Sequence, residues 1–386
     1  MTSREQEAQP HEGNVADGHA SQNLHPGFQS IIDDLPDTWF RCESARAADV
    51  EHQFVDAFAN LAQTPSLRRR AKIWITPTAS LSIDIVAAAL VHRKARVALI
   101  VPTFDNLAQL TLRRGGELEP VSDRLLGQVS SRESALELLR PLRCQALFIV
   151  NPNNPTGLVF DRVQIQALAE ACKSLKMTLI VDRTFRFFVR EMYDDYALLE
   201  DVGVSHIVIE DTGKTWSTLE LKSSLLTASR DWVEIIDHIY SELFLSSSPF
   251  KVAVNTQFLA KTAIIGLDSV LWSPVDARRH RLRRMLEPTS IKVASNARDS
   301  WLSVEWLDCT ETGLDDRACV ALGQERGVWM LPGRYFFWND PEAPGVQHNV
   351  RIALLKRESA FATAMQGLAM AFGERRQVHE QLVPAQ

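Results

Sequence analysis

The sequence predicts an α/β protein, with a large domain in which helices cover a mostly parallel sheet. Between about residues 71 and 230, short apolar runs at 146–150, 178–181 and 206–210 alternate with segments of helical periodicity. Buried parallel strands have such uninterrupted apolar runs because helices cover both faces of the sheet. The clearest intervening helix follows Asp161, a suitable N-cap, and carries apolar residues on one face.

The order of elements along the 386 residues predicts three regions. Residues 1–28 are polar and lack apolar periodicity, so their composition alone predicts a mobile arm. Residues 71–274 form the large domain, which ends in a long apolar helical stretch at about 233–272. Helical patterning at 29–70, and a mixture of helices and strands at 275–386, predict a smaller α+β domain.

Composition excludes several classes of function. The chain has 42 basic and 48 acidic residues and a net charge of -6, without the basic field that nucleic-acid binding requires. Its five cysteines lack metal-ligand spacing, so no metal site is expected, and reduced cysteines are typical of the cytosol. No apolar run approaches the ~18 residues of a membrane span, and the polar start lacks a signal-peptide core. We therefore expect a cytoplasmic protein without nucleic-acid or membrane partners.

The seven residues 151–157, Asn-Pro-Asn-Asn-Pro-Thr-Gly, form the most informative motif. They directly follow the apolar run 146–150, and the carboxyl ends of buried strands are where open α/β sheets bind ligands. Asn154 would then be free to face a ligand. A Pro- and Asn-rich turn leading into a helix would have the same composition, so this motif needs support from others.

That support comes from two charged residues at the next two predicted strands. Asp182 follows the run 178–181, and Lys214 comes shortly after the run 206–210. Separately, Asp182 could cap a helix and Lys214 could be a surface lysine. In this order they match the needs of pyridoxal phosphate (PLP), which uses a carboxylate to keep its ring nitrogen protonated and a lysine to hold its aldehyde. The sequence therefore predicts a PLP site with Asp182 and Lys214 as catalytic residues.

From about residue 74 to 229 the sequence resembles the fold-type I PLP enzymes of the aspartate aminotransferase superfamily. The resemblance implies a full set of cofactor contacts. They are Thr78, Ala79 and Ser80 at the phosphate, Phe104 against the pyridine ring, Asn154 at the phenolic oxygen, Asp182 at the ring nitrogen, and Lys214 at the aldehyde. The three phosphate residues precede a predicted helix, whose N-terminus favours an anion.

Two positions depart from the superfamily pattern. Lys222 stands where a phosphate-binding arginine is usual, which keeps the charge but loses the bidentate fork. Phe185 stands where many aminotransferases place a tyrosine against the phenolic oxygen, so that hydrogen bond is missing. Both departures count against ordinary transamination.

Several segments are similar to a narrower group, the PLP- and oxygen-dependent arginine oxidases and hydroxylases of non-ribosomal peptide and alkaloid pathways, best known from enduracididine biosynthesis. The segments are 14–20, 102–106, 210–214, 219–222 and 350–354. The run Asp-Thr-Gly-Lys, in place of the usual Ser-x-Ser-Lys, is narrower than the superfamily motif. In that group the N-terminal arm folds over the substrate as a lid, which implies that the polar start of this chain is functional.

This closer resemblance implies a set of substrate-binding residues in the arm and in the body of the protein: Thr2, Glu5, Asp17, His19, Asn154, Asp211 and Arg351. Arg351 would bind an α-carboxylate bidentately, and Glu5 with Asp211 would bind the guanidinium of L-arginine. His19 would be the acid, base or water-positioning group, roles in which an imidazole is common. Taken alone, Arg351 could be a surface arginine and Glu5 a solvated acid.

The implied reaction uses O2 as co-substrate and Lys214 as the base at Cα. Its products would be the 4-hydroxy-2-oxo acid of arginine when water adds at Cγ, or otherwise 2-ketoarginine or dehydroarginine. Two alternatives stay open, an aminotransferase of a basic amino acid and a PLP-fold protein that has lost catalysis; the intact Asp182, Lys214 and Arg351 count against the second. The superfamily also implies a homodimer. Residues 245–248 are candidate contributors across the interface because of their position within the long apolar helical stretch.

Overall fold

The computed structural model describes residues 2–373 as two sheets surrounded by helices. The strands, in chain order, are β1 (Ile73–Thr76), β2 (Arg96–Val101), β3 (Glu117–Ser122), β4 (Ala146–Val150), β5 (Thr178–Asp182), β6 (His206–Asp211), β7 (Ser224–Ala228), β8 (Lys292–Val293), β9 (Val304–Asp308), β10 (Leu331–Pro332) and β11 (Asn349–Ala353). The α-helices are α1 (Thr2–Ala8), α2 (Gln29–Asp33), α3 (Leu35–Ser44), α4 (Ala47–Leu61), α5 (Ala79–His92), α6 (Asn106–Arg113), α7 (Asp123–Gly127), α8 (Arg132–Leu139), α9 (Arg162–Leu175), α10 (Asp195–Val202), α11 (Arg230–Leu243), α12 (Pro249–Ile265), α13 (Ser273–Leu286), α14 (Asp316–Glu325) and α15 (Glu358–Phe372).

The larger sheet has seven strands in the order β1-β7-β6-β5-β4-β2-β3. Strands β6, β5, β4, β2 and β3 run parallel, whereas β7 is antiparallel to both β6 and β1. The central strands β4, β5 and β6 are buried along their whole length, as expected where helices cover both faces. This mostly parallel sheet with flanking helices confirms the predicted fold class.

The register of the central strands decides where their loops meet. Val150 at the end of β4 pairs with Asp182 at the end of β5, and Asp182 pairs with Ile209 of β6. Because these strands are parallel and adjacent, the loops that follow them open at one edge of the sheet. The helix α9 that leads from β4 to β5 is capped as predicted, since Asp161 accepts from the backbone N–H of Gln164 at 2.8 Å.

A smaller antiparallel sheet, in the order β10-β11-β9-β8, carries Arg351 on β11. Part of the N-terminal arm is docked on this sheet by backbone hydrogen bonds. Val15 donates to the carbonyl of Trp329 at 3.0 Å and accepts from Ala353 at 2.7 Å, and Ser21 donates to the carbonyl of Leu355 at 2.9 Å. The polar composition of the arm gave no sign of this docking, because backbone groups make the contacts whatever the side chains are.

The predicted helical stretch at 233–272 is broken, and this prediction was wrong in detail. α11 ends at Leu243 and α12 begins at Pro249, where Ser248 caps the new helix. After α12, Gly266 has φ +96°, a conformation that favours glycine, and a π-helical turn then leads into α13. Within residues 2–373 no single helix is long and apolar enough to cross a membrane, although Pro249–Ile265 and Asp268–Leu286 pass that test as a pair bent by 105°.

Helix α3 packs against α12. The side chain of Gln257 on α12 donates to Thr38 at 2.7 Å and to Asp34 at 3.2 Å. The ring centroid of Phe28, at the end of the arm, lies 4.9 Å from that of Phe258. The division into an arm, a large domain and a small domain stays a prediction, and the last residues assigned to the small domain, 374–386, lie outside the described part of the chain.

Candidate active site

A cavity of about 210 Å³ opens at the carboxyl ends of β4, β5 and β6, beside the N-terminus of α5. Most of the predicted site residues line it. They are Glu5, His19, Thr78, Ala79, Ser80, Phe104, Asn154, Asp182, Asp211, Lys214, Lys222 and Arg351. Asp17 lies behind His19, and Thr2 begins α1 with a side chain outside the described part of the structure.

Hydrogen bonds within the loop after β4 orient the predicted ligand-binding asparagine. The side chain of Asn151 donates to the carbonyl of Phe160 at 2.9 Å and accepts from its N–H at 3.0 Å, while Asn153 donates to the carbonyl of Pro102 at 2.9 Å. Asn154 lines the cavity, buried, and its Oδ1 has no partner among the described residues. A buried amide left unsatisfied by the protein is a group that a ligand can satisfy.

Asp182 is buried at the end of β5. Its Oδ1 accepts the backbone N–H of Thr184 at 2.8 Å. Burial raises the pKa of Asp182 to about 6, against the opposing effect of the hydrogen bonds from Thr184. A carboxyl group desolvated to this degree is stabilised as an anion by a cationic partner, such as a protonated ring nitrogen.

Lys214 and Asp211 enter the cavity from the end of β6, the neighbouring strand. The backbone N–H of Gly213 donates to Asp211 Oδ2 at 3.1 Å, and Oδ1 has no partner within residues 2–373. Burial raises the pKa of Asp211, and the charges of Lys214 and Lys222 oppose that rise. A Cβ at position 213 would lie 2.6 Å from Lys222 Cδ, so any residue larger than glycine would displace the Lys222 side chain.

The N-terminus of α5 forms another wall of the cavity. Thr78 caps this helix by accepting the N–H of Leu81 at 3.2 Å, and Asn106 donates to Ser80 Oγ at 2.8 Å. Free backbone N–H groups at a helix N-terminus attract anions, and Lys222 adds a positive charge to the same cavity. This wall therefore suits a phosphate group.

A line of polar contacts joins Lys222 to the arm. Lys222 Nζ lies 3.0 Å from His19 Nε2 and also contacts Glu220. His19 Nδ1 lies 2.7 Å from Asp17 Oδ1, and Asp17 Oδ2 lies 3.5 Å from Lys356 Nζ. Because a lysine ammonium can only donate, His19 accepts at Nε2 and donates its Nδ1 proton to Asp17.

Lys356 is a residue of this line that the sequence analysis missed. Burial alone would raise the pKa of Asp17, but the hydrogen bond from His19 and the charge of Lys356 hold it well below its usual value. Burial lowers the pKa of Lys356, and Asp17 opposes that decrease. The available signal was a lysine directly after the apolar run 352–355, close in sequence to Arg351.

Arg351 is 1% exposed, and the arm holds its guanidinium. Its Nη2 donates to Glu5 Oε1 at 3.0 Å and to the carbonyl of Ala16. Its Nε has no partner among the described residues. In this structure Glu5 therefore pairs with Arg351, whereas the sequence analysis placed Glu5 beside Asp211 at a substrate guanidinium.

A buried ionic network near the ends of β5 and β6 was not predicted from the sequence. Arg186, which follows β5, donates from Nε to both carboxylate oxygens of Glu210 at 2.8 Å. Its Nη2 lies 3.0 Å from Asp195 Oδ2. Glu210 directly precedes Asp211 on β6, so the network ties together the ends of the two strands that carry the cavity's carboxylates.

The described residues fit PLP. The α5 N-terminus with Lys222 suits the phosphate, and Phe104 lines the cavity where an aromatic ring can stack. Asp182 suits the ring nitrogen, because its buried carboxyl group needs a cationic partner. Asn154 lines the cavity with an unpartnered Oδ1, and Lys214 supplies the amine that an aldehyde requires.

Comparison with known proteins agrees with this assignment. The model of the aminotransferase class I and II family matches residues 46–360. The structure of MppP soaked with the product 2-ketoarginine superposes with a TM-score of 0.84 at 33% sequence identity, covering 92% of this chain and 99% of that chain.

Two curated relatives match over shorter segments. Threonine-phosphate decarboxylase of Salmonella typhimurium is 38% identical over 109 residues, 28% of this chain and 29% of the relative. Aspartate aminotransferase of Sulfurisphaera tokodaii is 24% identical over 186 residues, 47% of this chain and 46% of the relative. The chain thus spans less than half the length of these two proteins. Because the family model covers most of the chain and the cavity has the residues that its cofactor needs, the chain belongs to the aminotransferase class I and II family and is a PLP-dependent enzyme.

Proposed function

We propose that the protein is a PLP- and O2-dependent oxidase or hydroxylase of L-arginine that acts in natural-product biosynthesis. The observation that carries the proposal is the position of the arm, since Glu5 and His19 line the same cavity as Lys214 and Arg351. The likeness to MppP, whose structure contains 2-ketoarginine as a product, supports a substrate with a guanidinium group.

The charges around the cavity suit an amino acid with a cationic side chain. Arg351 has an unpartnered Nε and can bind an α-carboxylate through its planar fork. Asp211 has an unpartnered Oδ1, and Glu5 adds a second carboxylate to the cavity wall. Arg351 would thus bind the α-carboxylate of arginine, and the carboxylates of Asp211 and Glu5 would bind its guanidinium.

Asp182, at the end of β5, and Lys214, which follows β6, have different roles in the proposed proton transfers. When bound, PLP supplies an electron-poor ring that stabilises negative charge at the substrate Cα. In the proposed reaction Lys214 takes the Cα proton, and Asp182 would keep the ring nitrogen protonated. Phe185 lines the cavity and offers no hydroxyl to the phenolic oxygen, so the site differs there from that of many aminotransferases.

The electron balance defines the products. Each two-electron oxidation of the substrate reduces one O2 to H2O2. One oxidation and hydrolysis give 2-ketoarginine and ammonia; a second oxidation, with addition of water at Cγ, gives the 4-hydroxy-2-oxo acid. His19 is the residue proposed to orient that water, because it lines the cavity and Asp17 fixes its ring.

A PLP-dependent aminotransferase of a basic amino acid is the second candidate. Membership of the aminotransferase family favours it, as do the intact Asp182 and Lys214. The two candidates differ in what accepts the electrons, because an aminotransferase needs a 2-oxo acid and an oxidase needs O2.

The test is incubation of the purified holoenzyme with L-arginine in air, without any 2-oxo acid acceptor. Oxygen uptake, H2O2 and product mass are recorded. We expect oxygen uptake with 2-ketoarginine, its hydroxylated form or dehydroarginine as product, and no uptake by Lys214→Ala. Turnover that begins only after a 2-oxo acid is added would favour the aminotransferase.

A further inference from the structure

In this structure Glu5 binds the guanidinium of Arg351. The proposed function assigns that same guanidinium to the carboxylate of the substrate. Glu5 Oε1 lies 3.0 Å from Arg351 Nη2, and the side chains of the two residues are 12% and 1% exposed. We propose that Glu5 determines specificity by competing with substrate carboxylates for Arg351, and that it yields readily only to an amino acid whose cationic side chain binds Glu5 in exchange. The second half of this statement rests on the proposed function.

The competition follows from the burial of Arg351. A buried guanidinium without an anionic partner is strongly unfavourable, so Arg351 keeps Glu5 until another carboxylate replaces it. Glu5 contacts a single nitrogen of the guanidinium, and Nε has no partner among the described residues. A ligand carboxylate that engages two nitrogens at once would make the stronger pair.

The exchange has a cost that depends on the ligand. Displaced Glu5 belongs to a largely buried site, so its carboxylate needs a new cation. A neutral amino acid offers a carboxylate to Arg351 and nothing to Glu5. A guanidinium-bearing amino acid offers both partners, and the site therefore discriminates by penalising the wrong ligand as well as by attracting the right one.

The arm is built so that Glu5 can move while the rest stays in place. Glu5 lies on α1, which ends at Ala8, whereas His11 stacks on Trp329 with ring centroids 3.8 Å apart. Beyond that stack, Val15 is fixed to the small sheet by backbone hydrogen bonds. α1 itself is held by Arg4, which donates to Tyr335 OH at 2.8 Å, and by the buried Ala8. Glu5 therefore releases Arg351 by a change of its own side-chain rotamer, which leaves the helix and the docked part of the arm in place.

The test measures binding rather than turnover. The holoenzyme is titrated with L-norleucine, a neutral unbranched amino acid, and with L-arginine under nitrogen, and the absorbance of the bound cofactor is followed. We expect Glu5→Gln to bind norleucine more tightly than the wild type does, by about fivefold or more. A change of about fivefold is at the lower end of the couplings that linked binding contacts usually show. The affinity for arginine should not rise with it.

Glu7→Gln is the matched control, because it removes the same charge from an exposed position of the same helix. It should bind both ligands as the wild type does. Glu5→Ala repeats the experiment without the residual hydrogen bond that a glutamine could offer to Arg351.

Each other outcome contradicts part of the proposal. Unchanged or weaker norleucine binding in both Glu5 variants would overturn the competition. An equal gain for arginine would overturn the exchange with the cationic side chain. Absence of oxygen uptake by the wild type would overturn the proposed function alone, since the titration measures binding whatever the reaction is.

Discussion

The depth at which individual side chains are buried determines the chemistry of this site. The sequence predicted the identity and order of Asn154, Asp182 and Lys214 because each comes at the end of an apolar run. It could not predict that Lys356 contacts Asp17, because that contact joins distant parts of the chain and exists only once the arm has docked. Interactions of this kind follow from tertiary packing.

Replacing Asp182 with asparagine should stabilise the cofactor-free protein at neutral pH. Because burial raises the pKa of Asp182 from 3.8 to about 6, the folded protein between these values holds a proton that the unfolded chain has released. The contribution of this group to the free energy of unfolding is greatest below the unfolded pKa. It falls by roughly 3 kcal/mol as pH rises through the folded pKa.

Chemical denaturation of both cofactor-free proteins at acid and neutral pH checks this prediction. The free energy of unfolding of Asp182→Asn should lack the part of its pH dependence that Asp182 causes. The variant should also lose turnover with PLP bound. If the two proteins lose stability in parallel as pH rises, Asp182 does not have the raised pKa.

Lys356 should influence the products through Asp17 and His19. Lys356→Met removes the cation 3.5 Å from Asp17 Oδ2 and leaves His19 less firmly oriented. We expect a smaller ratio of hydroxylated to merely oxidised product, a change in the same direction as that of His19→Ala but less severe. Mass analysis of the products measures the ratio, and Lys356→Arg should restore most of it. A ratio that stays at the wild-type value in Lys356→Met would remove Lys356 from this role.

At the scale of elements, the arm has two parts with different attachments. Residues 13–21 are bound to the small sheet through backbone groups, whereas α1 contacts Arg351 through one side chain, Glu5. The resemblance predicted a functional arm, while composition predicted mobility. In the structure the docked part carries His19, and the helix before it is anchored by the side chains of Arg4 and Glu5. The role of the arm and its mobility stay predictions.

Two deletions should therefore have different effects. Removing residues 2–8 takes away Glu5 and should weaken discrimination in favour of arginine while leaving the product ratio unchanged. Removing residues 2–20 also takes away His19 and should shift the ratio towards the oxidised product. Steady-state kinetics with product analysis separates the two, and PLP absorbance checks that the cofactor site is intact. Identical behaviour of both truncated proteins would contradict the division of the arm.

At the scale of the whole molecule, the parallel sheet was the most predictable feature. The runs 146–150, 178–181 and 206–210 became β4, β5 and β6 with shifts of at most one residue at their ends. The helical stretch at 233–272 was less predictable, because its apolar periodicity continues across the serines that precede Pro249. Local caps decided that boundary, and periodicity does not detect them.

The expected homodimer stays a prediction, and exposed apolar side chains allow a test of it. Leu245, in the segment assigned to the interface, is fully exposed, and Phe40 is 65% exposed. Leu245→Asp should weaken the dimer in sedimentation velocity, whereas Val163→Asp, the same kind of change on α9, should not. A wild type that sediments as an active monomer would contradict the homodimer.

In the proposed reaction O2, and no 2-oxo acid, accepts the electrons of arginine. The most direct measurement is the amount of 2-oxo acid released by the holoenzyme mixed with L-arginine under nitrogen, and again after oxygen is admitted. We predict less than one equivalent per site without oxygen, followed by many turnovers once oxygen enters. Release of a full equivalent under nitrogen, with no further turnover in air, would contradict the account and identify the protein as an aminotransferase.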